Sequence, residues 1–315
     1  MSARTRPWLR VLLPVLAAAA LALGAVAATA APGRPSAARA PRAAGAVGHA
    51  SVPACNPDAS SLRPSGPPQV TSGSFMATIR KRGYLIAGVD QNTYHFGFRN
   101  PFDGQIEGFD IDMIKAVAQA IFGNPDKVVY KAIPDSLREK DVETGAVDIV
   151  AHTMTITCDR LKDVDFSSVY FDAVQRVLVL KNSKATSLDD LRGQKVCATS
   201  GSDDLASIKA HGAIGVPVAY WTDCLVLLQQ GDVAAISTDD AILAGLEAQD
   251  PWTTIVGPAI SSQPYGLAIS KQHLDFVSFV NAVLEQVRTD GQWKASYAHW
   301  IGHPVPAPPQ AQYAD

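Results

Sequence analysis

The chain alternates short apolar runs with segments of helical periodicity, and it does so twice. The first apolar run is Gly83–Asp90, and the side chains of Phe109, Ile114, Val117 and Ile121 then recur at helical spacing. Further apolar runs follow at 128–130, 147–151 and 174–180. Apolar runs of this length, separated by helices, are typical of strands buried in a parallel sheet. An α/β fold is therefore predicted.

The same pattern begins again near residue 186. Strands are predicted at 193–201, 219–221, 234–237 and 266–270, and helices at 206–210, at 224–230 and from 276 onward. Because each half of the chain has its own set of strands and helices, we expect two α/β units of similar size.

Polar side chains follow several of the predicted strands. They are Asp90, His152–Arg160, Thr199–Ser202 and Thr238–Asp240. In open parallel sheets the ligand crevice lies beyond the carboxyl ends of the strands. This shared placement groups the four segments as one candidate binding site.

Arg160 is the candidate anion-binding group of this set. A guanidinium holds a carboxylate with two parallel hydrogen bonds, and the hydroxyls of Thr153 and Thr155 could complete such a site. The alternative is a polar loop in which Arg160 pairs with Asp159 or Asp163.

Asp239 is the candidate cation-binding group. Its carboxylate could receive an ammonium, or it could instead cap the helix that begins near Ala241. Thr199 to Ser202 precede a predicted helix, whose N–H groups favour an anion, although an ordinary strand-to-helix turn is the simpler interpretation. Together, a guanidinium, hydroxyls and a carboxylate would suit a zwitterion.

Charge is distributed unevenly along the chain. It has 27 basic and 30 acidic residues, and the first 50 residues contain six arginines and no acid. The remainder therefore has a net charge of −9. A region of this charge is not expected to bind nucleic acid, and a few placed cations must bind any anionic ligand.

Residues 1–30 have the features of a secretory signal peptide. Arg4, Arg6 and Arg10 precede an uncharged apolar run that ends in Ala28-Thr29-Ala30, a small-residue cleavage signal. An uncleaved membrane anchor is the alternative, because the run is long enough to span a bilayer. Both interpretations predict export of the rest of the chain beyond the cytoplasmic membrane. The Pro- and Ala-rich segment 31–74 is predicted to be a linker, and 304–315 a flexible tail.

Four cysteines remain, at positions 55, 158, 197 and 224. An even number in an exported protein predicts two disulfides, with three pairings open. There is no CxxC motif and no Cys/His ladder, so no metal site is expected. No nucleophile–base pair stands out either, and we expect neither catalytic residues nor a cofactor.

Seven short segments of the predicted folded region together resemble the motifs of one protein family. They are Ile106–Asp112 (IEGFDID), Thr155–Arg160 (TITCDR), Val164–Ser167 (VDFS), Val196–Ser202 (VCATSGS), Ser237–Leu243 (STDDAIL), Gln263–Ala268 (QPYGLA) and Asp290–Trp293 (DGQW). With them, the chain from about Arg82 to Gly302 resembles family 3 of the periplasmic-type solute-binding proteins of polar amino-acid ABC importers. It looks most similar to their actinobacterial glutamine/glutamate-binding branch.

The resemblance implies a two-lobed type II periplasmic-binding-protein fold, with a central sheet in each lobe and two hinge crossings. The first lobe would comprise 75–172 plus 270–303, and the second 173–269. The resemblance also implies the disulfides Cys197–Cys224 and Cys55–Cys158. Cys158 departs from the family pattern, which has an acid or proline there, and this puts the local loop geometry in doubt.

The same resemblance assigns ligand-binding roles. Arg160, with Thr155 and the main chain near Ser202, would bind the α-carboxylate of an amino acid. Asp239, with the main chain near Thr153, would bind its α-ammonium. Thr199 belongs to the same ligand-binding segment as Ser202.

The resemblance also indicates three residues that would contact the ligand's side chain. Asp90 and Phe96 would line the first lobe's part of the pocket. Arg138 stands where relatives that bind acidic amino acids often carry Arg, which favours glutamate or aspartate, with glutamine or asparagine as alternatives. Arg138 could instead be a helix surface residue that pairs with Asp135 or Asp141.

The family's function implies a monomer that closes on an amino acid and delivers it to the permease subunits of an ABC importer. A sensor domain that signals to a membrane partner is a second hypothesis. A dehydratase-like enzyme on the same scaffold is a third.

Overall fold

The computed structural model describes residues 55–314, which contain eight α-helices and fourteen strands. The predicted signal peptide, 1–30, and residues 31–54 of the predicted linker lie outside the described residues. No helix within 55–314 is both long and apolar enough to cross a bilayer.

The helices are α1 (Phe75–Arg82), α2 (Phe109–Phe122), α3 (Arg138–Glu143), α4 (Asp204–Ala210), α5 (Trp221–Gln230), α6 (Asp240–Gln249), α7 (Leu274–Thr289) and α8 (Gln292–Trp300). The strands are β1 (Leu85–Val89), β2 (Asn92–Thr93), β3 (Gly97–Arg99), β4 (Ile106–Glu107), β5 (Val128–Ala132), β6 (Ile149–Ala151), β7 (Val164–Phe166), β8 (Phe171–Leu180), β9 (Lys195–Thr199), β10 (Ile214–Val218), β11 (Ala235–Asp239), β12 (Thr253–Val256), β13 (Ser262–Tyr265) and β14 (Ala268–Ser270).

The first lobe is built on a five-stranded sheet with the order β5-β1-β6-β14-β7. β1 pairs in parallel with β5 and β6, whereas β14 runs antiparallel to β6 and β7. Ile149 and Ala151 belong to the apolar cluster that also contains residues of α2 and α7, and Val150 belongs to a second cluster with Val142 of α3. Successive side chains of a strand point to opposite faces. Both faces of this sheet are therefore buried, which explains the continuous apolar runs in the sequence.

The second lobe is built on a six-stranded sheet. Its main order is β10-β9-β11-β8-β12, and β13 pairs with β8. β9 pairs in parallel with β10 and β11, and β8 runs antiparallel to β11, β12 and β13. Its core is a separate apolar cluster that includes Ile236, Leu243 and Leu228. Each lobe thus has a core of its own, as the repeated α/β pattern predicts.

Two chain segments connect the lobes. One leads from β7 into β8, and the other from β13 into β14. The two segments are paired with each other, because the N–H group of Tyr170 donates to the carbonyl of Tyr265 at 2.9 Å. The predicted domain boundaries, 172/173 and 269/270, fall within β8 and β14, the strands that adjoin these connections.

One strand prediction was wrong. Residues 219–221 do not form a strand: the strand is β10, Ile214–Val218, and Trp221 begins α5. The carboxylate of Asp223 accepts from the N–H of Tyr220 at 3.1 Å, which fixes the start of the helix. Gly215 and Pro217 weaken the strand signal in the sequence, but β10 lies at the edge of its sheet, where proline is tolerated.

The described part of the predicted linker and the predicted flexible tail are both packed on the first lobe. Ser61 is buried, and its hydroxyl donates to the carbonyl of Phe166 at 2.7 Å. Asn281 of α7 donates to Ser61 Oγ at 2.7 Å and to the carbonyl of Leu62 at 2.6 Å. Tyr313 pairs with Ser61 in an isolated β-bridge. These segments contain many prolines, yet a few long-range hydrogen bonds order them.

Candidate functional site

A small cavity lies between the two lobes, at the carboxyl ends of the strands. Its free volume is about 10 Å³, which is roughly the room that one water molecule needs. Its lining residues in the first lobe are Asp135, Arg138, Thr153, Thr155 and Arg160. Those in the second lobe are Ser202, Asp203, Asp204, Trp221, Thr238, Asp239 and Ile242. An amino acid would fit here only after the lobes move apart.

Arg160 is buried at this cavity and contacts both lobes. Its Nε donates to Glu139 at 3.0 Å, and its Nη1 donates to the carbonyl of Thr155 at 2.7 Å. Its Nη2 reaches across to the carbonyl of Gly201 in the second lobe at 2.9 Å. Burial lowers the pKa of Arg160, and the neighbouring guanidinium of Arg138 lowers it further. Two buried cations this close favour an anion between them.

Asp239 lines the same cavity from the second lobe, at the end of β11. The hydroxyl of Tyr265 donates to its Oδ2 at 2.7 Å. Burial raises the pKa of Asp239 to about 8, against the lowering effect of this hydrogen bond, and the carboxylates of Asp203 and Asp240 add to the rise. Asp240 serves the helix instead, because its Oδ1 accepts from the N–H of Ala241 at 2.9 Å.

Thr153 has an unusual backbone conformation at the cavity. Its φ is +42°, a conformation rarely adopted by β-branched residues. Its N–H donates to Asp110 Oδ2 at 2.8 Å, and Tyr170 donates its hydroxyl to Asp110 Oδ1 at 2.6 Å. Burial raises the pKa of Asp110 to about 6, although both hydrogen bonds lower it. Asp110, the first aspartate of the IEGFDID motif, therefore holds the loop that contains Thr153 in its strained form.

The segment Thr199–Ser202 forms the main contact between the lobes at this site. The hydroxyl of Thr199 donates to Asp135 Oδ2 of the first lobe. Ser202 turns its hydroxyl back to the carbonyl of Thr199 at 3.0 Å and lines the cavity. The carbonyl of Gly201 accepts from both Arg138 and Arg160. This segment and the two arginines thus hold the lobes together.

Arg138 lines the cavity, but main-chain carbonyls occupy its guanidinium. Its three nitrogens donate to the carbonyls of Asp135, His152 and Gly201 at 3.1–3.2 Å. Burial lowers the pKa of Arg138, but nearby carboxylates, Asp135 first, outweigh burial and raise it. Arg138 is buried, so its predicted alternative place on the helix surface is wrong, but its Nη1 lies 3.8 Å from Asp135 Oδ1, as the alternative pairing with Asp135 expects.

Three predicted ligand-binding residues do not line this cavity: Thr199, whose hydroxyl donates to Asp135, Asp90 and Phe96. Asp90 is buried, but its Oδ1 accepts from the N–H groups of Gln91 and Asn92 at 2.6 and 2.9 Å, and its Oδ2 from the hydroxyl of Thr93. It caps its own loop. Phe96 is fully buried in the core of the first lobe, where Phe109, Phe171 and Tyr265 surround its ring. Local hydrogen bonds engage Asp90 and aromatic packing engages Phe96, so neither side chain lines this cavity.

The sequence analysis missed five of the lining residues: Asp135, Asp203, Asp204, Trp221 and Ile242. Asp203 and Asp204 follow Thr199–Ser202 directly, so extending that segment by two residues would have included them. Trp221 follows β10, and the misplaced strand at 219–221 hid its position at a strand end. Asp135 follows β5 in the same way, and only its position in the tertiary structure indicates a role at the site.

The Gly201→Ala substitution is expected to weaken ligand binding by obstructing closure. A Cβ atom at Gly201 would lie 2.7 Å from Ser136 Cα and 2.9 Å from Ser136 N, both backbone atoms of the opposite lobe. The control is Gly231→Ala: Gly231 also has a left-handed φ, +76°, but no atom lies within 4 Å of its added Cβ. Calorimetry should show weaker binding for Gly201→Ala alone. Equal affinity of the two variants would contradict a role of this contact in closure.

Two disulfides are present, Cys55–Cys158 and Cys197–Cys224. Cys158 lies two residues before Arg160, in the ligand loop, whereas Cys197 and Cys224 are buried in the core of the second lobe. The double substitution Cys55→Ser/Cys158→Ser is expected to weaken binding more than it lowers thermal stability. The pair Cys197→Ser/Cys224→Ser, as control, should lower the unfolding temperature more. If the Cys55→Ser/Cys158→Ser protein binds as tightly as the parent, this expectation fails.

Known proteins with this architecture are similar in sequence as well. The chain is 36% identical to the ABC transporter glutamine-binding protein GlnH of Bacillus subtilis over 229 residues, covering 72% of this chain and 84% of that protein. It is 38% identical to the glutamine-binding protein of Geobacillus stearothermophilus over 197 residues, covering 62% of this chain and 75% of that protein.

Two solved structures extend the comparison. An ancestral arginine-binding protein bound to glutamine superimposes with a TM-score of 0.66 at 34% identity, covering 70% of this chain and 99% of that one. A mutant of the arginine-binding protein from T. maritima gives a TM-score of 0.68 at 29% identity, covering 72% and 99%. Residues 85–303 match the bacterial extracellular solute-binding proteins, family 3. The chain therefore belongs to this family of two-lobed binding proteins.

Proposed function

We propose that the protein captures a polar α-amino acid with a neutral side chain, glutamine first, by closing its lobes around it. It then delivers the amino acid to the permease of an ABC importer. The observation that carries this proposal is that Arg160 of one lobe and Asp239 of the other line a single cavity.

The charges at the cavity complement the two ends of an amino acid. The guanidinium of Arg160 is suited to the α-carboxylate, because an arginine pairs with a carboxylate through two parallel hydrogen bonds. The carboxylate of Asp239 is suited to the α-ammonium. Each group lies on a different lobe, so a zwitterion satisfies both only when the lobes are closed. Binding and closure are therefore coupled.

The charges of the residues that line the cavity also favour a ligand with a neutral side chain. The lining residues include four aspartates, at 135, 203, 204 and 239, and only two arginines. Arg138 was the basis for favouring glutamate or aspartate, but its donors are directed at main-chain carbonyls. A second carboxylate on the ligand would add a negative charge to these four aspartates, and the two arginines would have to offset it as well as the α-carboxylate. The glutamine-binding relatives support the same choice.

A thermal-shift screen of the twenty amino acids tests this proposal. A ligand that binds only the folded protein raises its unfolding temperature, and we expect the largest rise with glutamine. The Arg160→Ala variant serves as a control and should show no rise. A screen in which no amino acid stabilises the protein would refute the proposal, and a larger rise with glutamate would refute the neutral side chain.

Import is preferred over sensing because similar proteins are components of ABC transporters. This choice, like export of the chain, can be tested in the source cells. Deleting the protein should abolish uptake of labelled glutamine at low concentration, and the mature protein should be found outside the cytoplasmic membrane. Normal uptake in the deletion strain would favour a sensor.

Ligand affinity is expected to rise with pH. The pKa of Asp239 is raised to about 8 by burial, so at pH 6 this carboxyl group must lose a proton before it can pair with an ammonium. Affinity should increase by close to tenfold from pH 6 to pH 7 and level off near pH 8. Titrations in buffers of different ionisation enthalpy should detect about one proton released per ligand below pH 7. In the Asp239→Asn variant the pH dependence of ligand affinity should flatten. A parent protein whose affinity does not change with pH would contradict this assignment.

A further inference from the structure

Three polar atoms at the ligand cavity have no hydrogen-bond partner. They are Oγ1 of Thr153, Oδ1 of Asp204 and Nε1 of Trp221, and all three residues are buried and line the cavity. Buried polar atoms are rarely left without partners in folded proteins. Three such atoms at one cavity therefore point to a ligand that supplies the missing partners.

Two of these atoms have complementary chemistry. The indole Nε1 of Trp221 can only donate a hydrogen bond, and an ionised Asp204 can only accept one. A ligand group that satisfies both must supply a hydrogen-bond acceptor to Trp221 and a hydrogen-bond donor to Asp204. A carboxamide does so, with its carbonyl oxygen and its NH₂ group. A carboxylate offers acceptors only, and a hydrocarbon side chain offers neither.

The position of the two residues suits the distal end of a ligand. In the second sheet β11, β9 and β10 are neighbours in that order. Asp239 ends β11, Asp204 begins the helix after β9, and Trp221 begins the helix after β10. Neighbouring strands lie about 4.8 Å apart. The two unpartnered atoms therefore belong to neighbouring strand ends at the same sheet edge as Asp239, and Trp221 lies at the strand end farther from Asp239.

Asp204 is also held in place by the protein. The hydroxyl of Thr238 donates to its Oδ2 at 3.0 Å, which leaves Oδ1 for the ligand. Burial and the carboxylates of Asp239 and Asp203 raise the pKa of Asp204 well above its usual value. An N–H donor from the ligand would stabilise the ionised form, whereas a second carboxylate would oppose it.

We propose that Trp221 and Asp204 determine specificity by binding the ligand's side-chain carboxamide: Trp221 donates to its carbonyl oxygen, and Asp204 accepts from its NH₂ group. This inference rests on the proposed function, since it assumes an α-amino acid held by Arg160 and Asp239. It separates glutamine from glutamate, which has the same length but no side-chain donor.

Calorimetric titration with glutamine, glutamate and norleucine tests the assignment. Norleucine has an apolar side chain of similar length, and its weaker binding can be measured by competition with glutamine. In Trp221→Phe we expect glutamine affinity to fall about ten- to hundredfold, as for removal of one buried hydrogen-bond partner. Norleucine affinity should change much less, so the ratio of the two affinities should collapse. This ratio remains informative even if the substitution lowers the stability of the second lobe.

Asp204→Asn provides the second, charge-specific readout. This variant keeps the shape of the side chain and removes its negative charge, so the affinity ratio of glutamate to glutamine should rise by at least tenfold. The control variants are Trp252→Phe and Asp232→Asn. Both positions are exposed in the second lobe, and Trp252 is 75% exposed. Neither should alter any ligand ratio.

The outcomes separate this inference from the proposed function. If the parent binds no amino acid, the proposed function fails. If it binds amino acids but Trp221→Phe weakens glutamine and norleucine equally, the specificity role of Trp221 is refuted. A parent that prefers glutamate, or an Asp204→Asn variant with an unchanged ratio of glutamate to glutamine, refutes the role of Asp204.

Discussion

The Arg160→Ala substitution is expected to weaken amino-acid binding by about 3–5 kcal/mol, the cost of removing one partner from a buried ion pair. This corresponds to a loss of roughly a hundred- to several thousandfold in affinity. The ligand's α-carboxylate would lose its cation, and Glu139 would lose the guanidinium that it contacts at 3.0 Å. The link between Thr155 and Gly201 across the lobes would also be lost. Isothermal titration calorimetry measures the change.

A matched control separates binding from general stability. Arg176 is also partly buried, and its guanidinium donates to the carbonyl of Gly257, but it does not line the cavity. Arg176→Ala should therefore lower the unfolding temperature while leaving affinity nearly unchanged. An Arg160→Ala protein that binds its ligand as tightly as the parent would disprove the role assigned to Arg160.

The Asp239→Asn substitution should weaken binding by about 2–5 kcal/mol, because the α-ammonium would then be buried without a counter-charge. Asparagine has nearly the same shape, and its Oδ1 can still accept from Tyr265. The loss would therefore come mainly from the charge. Titration calorimetry at pH 8 measures it, since about half of the Asp239 carboxyl groups are then ionised in the unliganded parent.

The same substitution should not destabilise the protein in the absence of ligand. An aspartate whose pKa is raised on folding contributes less stability as the pH rises from its unfolded value near 4 towards the raised value of about 8. Asp239→Asn removes this unfavourable ionisation, so the unliganded variant should unfold at an equal or higher temperature at pH 8. A lower unfolding temperature would indicate a structural role for the charge.

Asp240→Asn is the control for Asp239→Asn. Its carboxylate lies next in sequence but accepts from the N–H groups of Val174 and Ala241, outside the cavity. It should affect affinity much less than Asp239→Asn. Equal effects of the two substitutions would mean that the local negative charge, rather than contact with the ligand, is responsible.

Most of the fold could be predicted from the sequence because its signals are local. The run that contains β1 is continuous and apolar, since both faces of its sheet are buried, and α2 shows helical spacing that ends at Gly123. β10 was misplaced, because its Gly215 and Pro217 weaken the strand signal at an edge position. The short strands β2, β3, β4, β7, β12 and β13 were not predicted. The two ends of the described chain also differ from the predicted linker and flexible tail, because Ser61 and Tyr313 are ordered by contacts with distant residues.

The sequence predicted only part of the candidate site, because a position after a strand does not fix the direction of the side chain. Arg160 and Asp239 follow strands, and both line the cavity. Asp90 also follows a strand, but its carboxylate is used by its own loop. Trp221, which lines the cavity, carried no signal as long as the strand before it was misplaced. A position after a strand therefore indicates the correct edge of the sheet, but not the direction of the side chain.

The sequence by itself determined the α/β alternation, the two lobes and the sheet edge at which polar groups collect. These follow from periodicity and from short-range chemistry within each segment. Only the tertiary structure decided which polar groups share the cavity: Thr153 is held by Asp110, Gly201 contacts the opposite lobe, and Trp221 and Asp204 lie at one site. The physical reason is that these contacts join residues far apart in the chain. These contacts form only when distant segments pack together, within one lobe for Thr153 and Asp110 and between the lobes for Gly201.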